Sequence, residues 1–102
     1  MNATDNSESD KLPLLELGHC TATKNAEQLM VKEGVDPDDL FSRHANGDHG
    51  DLCEEDKQKS DRAHSTFGMR VYSFYDLPSG ERIWVITEGN RSATTILLPE
   101  DY

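Results

Sequence analysis

Between Phe41 and Asp56 the chain reads Phe-Ser-Arg-His-Ala-Asn-Gly-Asp-His-Gly-Asp-Leu-Cys-Glu-Glu-Asp. Two imidazoles (His44, His49), two glycines (Gly47, Gly50) and five carboxylates (Asp48, Asp51, Glu54, Glu55, Asp56) fall within sixteen residues. Three chemistries could use such a segment. The first is metal binding, since His44, Asp48, His49 and Asp51 are all ligand types. Their spacing lacks the paired ligands of a zinc finger. It also lacks the alternating oxygens and closing glutamate of a calcium-binding EF-hand. Helix ends explain the same residues: His44 near a helix C-terminus, Gly47 as the residue that ends the helix, Asp51 as the cap of the next. No metal and no cofactor is assigned.

The second is acid–base catalysis. His44 with Asp48 or Asp51 would make an oriented imidazole–carboxylate pair. Glu88, followed by Arg91 and Ser92 in a turn, would add an acid and an anion-binding cation. A small metal-dependent hydrolase or nuclease built on His44, Asp48, Asp51 and Glu88 is therefore one alternative. The chain contains no nucleophile elbow, phosphate-cradling glycine loop or metalloprotease helix. A domain this small seldom encloses both a core and a substrate pocket, so a non-enzymatic role is favoured.

The third is an interaction surface. The chain has 102 residues and a formal net charge of −10. Ten acids lie from Glu33 to Asp61, against only Arg43, Lys57 and Lys59. That balance disfavours direct binding to nucleic acid or to an anionic membrane and suits a basic partner. The expected partner-binding residues are the acids Asp36, Asp38, Asp39, Asp48, Asp51, Glu54, Glu55 and Asp56, with Tyr72, Trp84 and Arg91 as anchors. Charge would steer the encounter and aromatic side chains would hold it.

These residues need elements to position them. Residues 1–12 hold almost nothing that could enter a core and read as a disordered acidic tail; residues 13–102 read as a single α+β domain. A short strand is expected within Leu14–Ala22. Thr23 and Gly34 bracket a first helix. Asp36 as cap and Pro37 at the first helical position start a second. Asp51 with Glu54 reads as a capping box for a third. After Gly68 the apolar period becomes two, and strands are expected over 69–75, 82–87 and 93–98. About three helices should pack on one face of a three- to four-stranded antiparallel sheet ending in a β-meander. Cys20 and Cys53 are isolated and show no disulfide or metal-site spacing. No apolar run reaches the length of a membrane span, and a cytoplasmic location in a bacterial cell is expected.

Several segments resemble a family of small bacterial proteins carried on plasmids, phages and integrated elements. They are Arg43-His44-Ala-Asn-Gly47-Asp48-His49-Gly50-Asp51-Leu52, Asp56, Ile83-Trp84-Val85-Ile86-Thr87-Glu88, and Arg91-Ser92-Ala-Thr94-Thr95-Ile96-Leu97-Leu98-Pro99-Glu100-Asp101-Tyr102, with Leu17-Gly18 and Thr21-Ala22-Thr23 before them. Some members take a restriction-associated name from their gene neighbourhood. The family's loop has an aromatic residue where this chain has His49, which implies a packing or contact position there. The resemblance implies a mobile-element job such as blocking host defence (anti-CRISPR or anti-restriction), controlling transfer or acting within a toxin–antitoxin pair; the acidic charge favours the first, by occupying the basic, nucleic-acid-binding surface of a host defence nucleoprotein complex. An operon-regulatory or antitoxin-like partner protein is a further alternative. Monomer and homodimer are both compatible with the sequence.

Overall fold

The computed structural model describes residues 14–102. The acidic tail expected over residues 1–12 lies outside the described residues. Local signals place the first two helices as expected. Thr23 Oγ1 accepts the Ala26 N–H at 3.2 Å and opens α1 (Lys24–Glu33), which ends at Gly34 with φ +71°. Asp36 Oδ1 accepts the Asp38 N–H at 2.9 Å, and Pro37 leads α2 (Pro37–Ala45).

The third helix departs from expectation. α3 runs Glu54–His64 after Cys53, with no side-chain cap. Asp51 caps something else: its carboxylate accepts the Asp76 N–H at 2.8 Å. The reason is tertiary. Asp76 ends an edge strand, and an unpaired edge N–H competes for the same short carboxylate that a helix start would use.

Four strands form one sheet: β1 (His19–Ala22), β2 (Val71–Asp76), β3 (Arg82–Thr87) and β4 (Ala93–Leu97), in the order β1-β4-β3-β2. β2, β3 and β4 make the expected antiparallel meander, with Ser73 opposite Val85 and Thr87 opposite Thr94. β1, however, pairs parallel to β4, with Cys20 beside Thr94. The sheet is mixed rather than purely antiparallel, because β1 is separated from the meander by the whole helical segment and returns through it as a crossover. The strand signal from Leu14 onward is only partly realised. Leu15 N–H donates to the Ala45 carbonyl at 2.9 Å, which ties that stretch to the end of α2 instead.

Strand alternation sorts the side chains. Val71, Ser73, Tyr75, Ile83, Val85, Thr87, Thr94 and Ile96 are buried toward the helices. Ala26, Met30 and Leu40 pack on Tyr75, Ile83, Val85 and Ile96 to form the main apolar core. The other face carries half-buried Tyr72, Phe74, Trp84 and Thr95, with Ile86 and Leu97 buried among them. A 3₁₀ turn, Pro99–Asp101, ends the described chain after β4. Asp101 Oδ2 accepts the Thr23 hydroxyl at 2.7 Å, pinning that turn to the start of α1.

The β2 edge is closed by the 48–51 loop and by α3. Phe74 N–H donates to the His49 carbonyl at 3.2 Å, and Asp51 N–H donates to the Phe74 carbonyl at 2.7 Å. The Ser60 hydroxyl donates to the Tyr72 carbonyl at 2.9 Å. Gly50, at φ +80°, runs so close that any Cβ there would collide with the Phe74 carbonyl. The segment that looks most chemical in the sequence thus docks on an edge strand that would otherwise recruit other chains.

Candidate functional site

Two separate constellations come from the residues singled out in the sequence, and they differ in solvent access. The outer one consists of acids and aromatics around the β2 edge. Asp36, Asp38 and Asp39 sit at the start of α2, Asp48 and Asp51 in the loop, and Glu54, Glu55 and Asp56 in the first turn of α3. Asp48 is paired with Arg43 Nε at 2.7 Å and accepts the Gly50 N–H at 3.1 Å. Partial burial pushes its carboxyl up, but Arg43 and the Gly50 N–H outweigh that and hold it below the ordinary range. Asp51 is committed to Asp76 N–H. Asp38, Asp39, Glu54, Glu55 and Asp56 are exposed, and among the described residues no ion pair engages them.

The aromatics meet these acids at a groove. Phe74 and Trp84 stack with ring centres 4.8 Å apart and planes 17° apart. Tyr102 sets an edge against Trp84 at 5.1 Å, and its hydroxyl lies 3.2 Å from that of Tyr72. A groove of about 310 Å³ runs between α3 and β2; Asp56, Leu52 and Ala63 line one side and Tyr72 and Phe74 the other. Lys59 and Arg70 also line it, and Arg70 is paired with Glu88 at 3.2 Å.

Arg91 does not join this surface. Its guanidinium donates to the carbonyls of Ala63 (2.9 Å), Thr66 (3.0 Å), Met69 (2.7 Å) and Gly89 (3.1 Å). It staples the end of α3 to the β3–β4 turn, and those bonds hold Arg91 itself at φ +62°. A cation on the last carbonyls of a helix is also favoured by the helix dipole.

The inner constellation is a buried cluster of histidines and hydroxyls. His44, on α2, is fully buried (0 % exposed). Its Nδ1 lies 2.5 Å from Ser73 Oγ and its Nε2 2.8 Å from Thr87 Oγ1. His49, in the loop, is 1 % exposed and places Nδ1 2.7 Å from the same Ser73 oxygen. Thr87 and Thr94 hydroxyls are 2.7 Å apart, and Thr94 Oγ1 donates to the Leu17 carbonyl at 2.8 Å. His49 packs edge-to-face on His44 (5.6 Å) and on His64 of α3 (5.3 Å). Burial, reinforced by the neighbouring histidines and Arg91, lowers His44 to about 3. Burial and His64 lower His49 to about 4, against the pull of Asp61 and Asp48. Both rings are neutral at pH 7. The 3.9 Å approach of His49 Nε2 to Asp61 is therefore not an ion pair at that pH.

His44, Asp48, Asp51 and Glu88 are engaged apart from one another. His44 bonds hydroxyls, Asp48 bonds Arg43, Asp51 caps β2 and Glu88 pairs with Arg70. Among the described residues no hydrogen bond or ion pair joins any two of the four. Nor do three or more His, Cys, Asp or Glu side chains among them converge to hold a metal ion. No described helix is long and apolar enough to cross a membrane.

Sequence reasoning did not single out His64, Ser73, Thr87 or Thr94. A signal for the last three was present: each occupies an inward register position of a strand whose neighbours in that register are Val, Ile or Tyr. A polar residue in a buried register must find a partner. No family model, no curated protein and no solved structure matches this chain.

Proposed function

We propose that this chain is a non-enzymatic binding protein that docks a basic protein surface through the ridge and groove around the β2 edge. The observation that carries this reading is one of adjacency. The exposed acids at the start of α3 lead directly into a groove walled by Tyr72 and Phe74. Steering charge and an aromatic anchor therefore share one continuous surface, the arrangement that speeds and then holds an encounter. The net charge of −10 adds long-range attraction to a basic partner. The resemblance to mobile-element proteins points to a host defence nucleoprotein complex as the target. The chain would occupy the surface on which that complex holds nucleic acid and so inhibit it.

The burial of His44, with both ring nitrogens already bonded, supports binding over hydrolysis. The test is competition on purified CRISPR and restriction complexes. The chain should displace labelled nucleic acid, and the effect should weaken steeply as salt shortens the Debye length from about 10 Å at 0.1 M to about 3 Å at 1 M. Joint replacement Glu54→Gln, Glu55→Gln and Asp56→Asn should weaken inhibition roughly tenfold or more, mostly through slower association. A complex that persists unchanged in about 1 M salt, where screening is nearly complete, would remove the steering account.

A further inference from the structure

The inner cluster contains more information than its distances. A carbonyl oxygen can only accept a hydrogen bond. The Leu17 carbonyl therefore takes the single hydroxyl proton of Thr94. Thr94 Oγ1 must then accept from Thr87, at 2.7 Å. Thr87 Oγ1, its proton spent, must accept from His44 Nε2. A neutral His44 protonated on Nε2 has a lone pair on Nδ1, so Ser73 donates to it. Ser73 Oγ in turn accepts from His49 Nδ1–H. Five bonds run in one direction, from His49 to the backbone of Leu17. The ring atom left over is His49 Nε2, which carries a lone pair, is buried and has no hydrogen-bond partner among the described residues.

The reverse polarity fails on one contact. It would leave Thr87 and Thr94 oxygens 2.7 Å apart with no proton between them, deep in the protein. The opposite polarity places its one unsatisfied acceptor, His49 Nε2, 3.9 Å from Asp61 Oδ1, whose side chain is 43 % exposed to water. Repulsion between acceptors is smaller at the longer distance and where water reaches one of them.

We infer that His49 Nε2 is a buried proton-binding site, loaded against Asp61 and oriented by a one-way hydrogen-bond chain anchored on Leu17. A proton from solvent adds to Nε2, the ring becomes a cation, and Nε2–H turns to Asp61 of α3. Nδ1–H stays on Ser73, so no other bond in the chain changes. His44 cannot be loaded the same way. Its Nδ1 lone pair is filled by the Ser73 proton, and charging it breaks the chain. The groups that face His49 are His44 from α2, His64, Asp61 and Lys57 from α3, and Asp48 from its own loop; Arg91 acts on His44 from the β3–β4 turn. From the sheet, the uncharged Ser73 hydroxyl bonds its Nδ1. The loaded site joins the 48–51 loop to α3 by an ion pair that is missing at neutral pH.

The test is long-range ¹H–¹⁵N correlation on the imidazole rings of the full chain. At pH 7 His44 should carry its proton on Nε2 and His49 on Nδ1, the tautomer less common in water. A His49 protonated on Nε2 would overturn the inference. Thr94→Val removes the hydroxyl that sets the polarity, so both rings should switch tautomer; retention of the original pair would also overturn it. Asp61→Asn lies at a half-exposed position and covers the case in which the valine variant fails to fold. It should keep His49 protonated on Nδ1 and lower its titration midpoint by about one pH unit, since the carboxylate no longer receives the proton. An unmoved midpoint would show that Asp61 is not the receiver.

Discussion

The layer between helices and sheet has two halves built on opposite principles. Toward α1, Ala26, Met30, Leu40, Tyr75, Ile83, Val85 and Ile96 close an apolar core. Toward α3, His44, His49, His64, Ser73, Thr87 and Thr94 fill the same layer with nitrogen and oxygen, beside the smaller apolar group of Leu15, Ala45, Ala63 and Val71 with Leu17 packed against it. The first half is non-directional: its stabilisation scales with area removed from water. The second depends on every donor meeting an acceptor, because a buried polar group without a partner costs about 1–3 kcal/mol. The apolar half registers lost volume and holds none of the buried histidines. The polar half fixes one geometry and registers each proton.

Three perturbations would break or sharpen this contrast. The largest effect is expected from Ile83→Ala, at about 2–5 kcal/mol of lost stability from transfer and cavity terms. Urea unfolding should show the same loss at pH 5 and pH 7, since no titrating group is touched; a loss that differs with pH would mean the two halves are not separable. His44→Ala comes next. It leaves the Ser73 proton without an acceptor and takes the donor away from Thr87, which keeps its bond to Thr94, at about 1–3 kcal/mol in all.

Its signature is a change of pH slope. In the folded chain His44 and His49 titrate at about 3 and about 4, below the ordinary histidine value of 6.5. Between those values the unfolded chain binds more protons, so stability is complete above about pH 6.5 and falls as pH drops toward 4 and then 3. Each histidine contributes up to about 1.4 kcal/mol per pH unit in that window. His44→Ala should flatten the profile, whereas Ile83→Ala should shift it down unchanged. Equal slopes in all three proteins would contradict the division. The smallest effect is expected from Arg91→Lys, about 1 kcal/mol, because an ammonium cannot reproduce the guanidinium fork across the Ala63, Thr66, Met69 and Gly89 carbonyls. Thermal melting at pH 7 would read it.

Much of the frame was legible from local residues. Thr23, Gly34, Asp36 and Pro37 act within a few positions of themselves, and the helices they bound lie where those residues put them. The period of two after Gly68 was equally local and marked all three strands of the meander. Asp51 shows where such reasoning stops. Its spacing to Glu54 is that of a capping box, but the β2 edge, distant in sequence, claimed the carboxylate. Arg91 is similar: in a polar turn it looks free to bind an anion, yet the carbonyls at the end of α3 lie within its reach. His44 and His49 read as candidate ligands because carboxylates flank them, with the resemblance making His49 a packing position; both are buried, and their ring nitrogens meet hydroxyls instead.

Sequence alone determined the number and order of the helices and meander strands, the acidic belt and the alternation that separates an inner from an outer sheet face. Those follow from capping, side-chain period and charge, which operate over a few residues. Tertiary structure decided that β1 lies parallel to β4, that the glycine-rich loop seals the β2 edge, and which way the protons of the histidine cluster point. Each of these depends on which distant groups are left without a partner once the chain closes, and a single carbonyl, that of Leu17, orders five bonds only because folding brings it to Thr94.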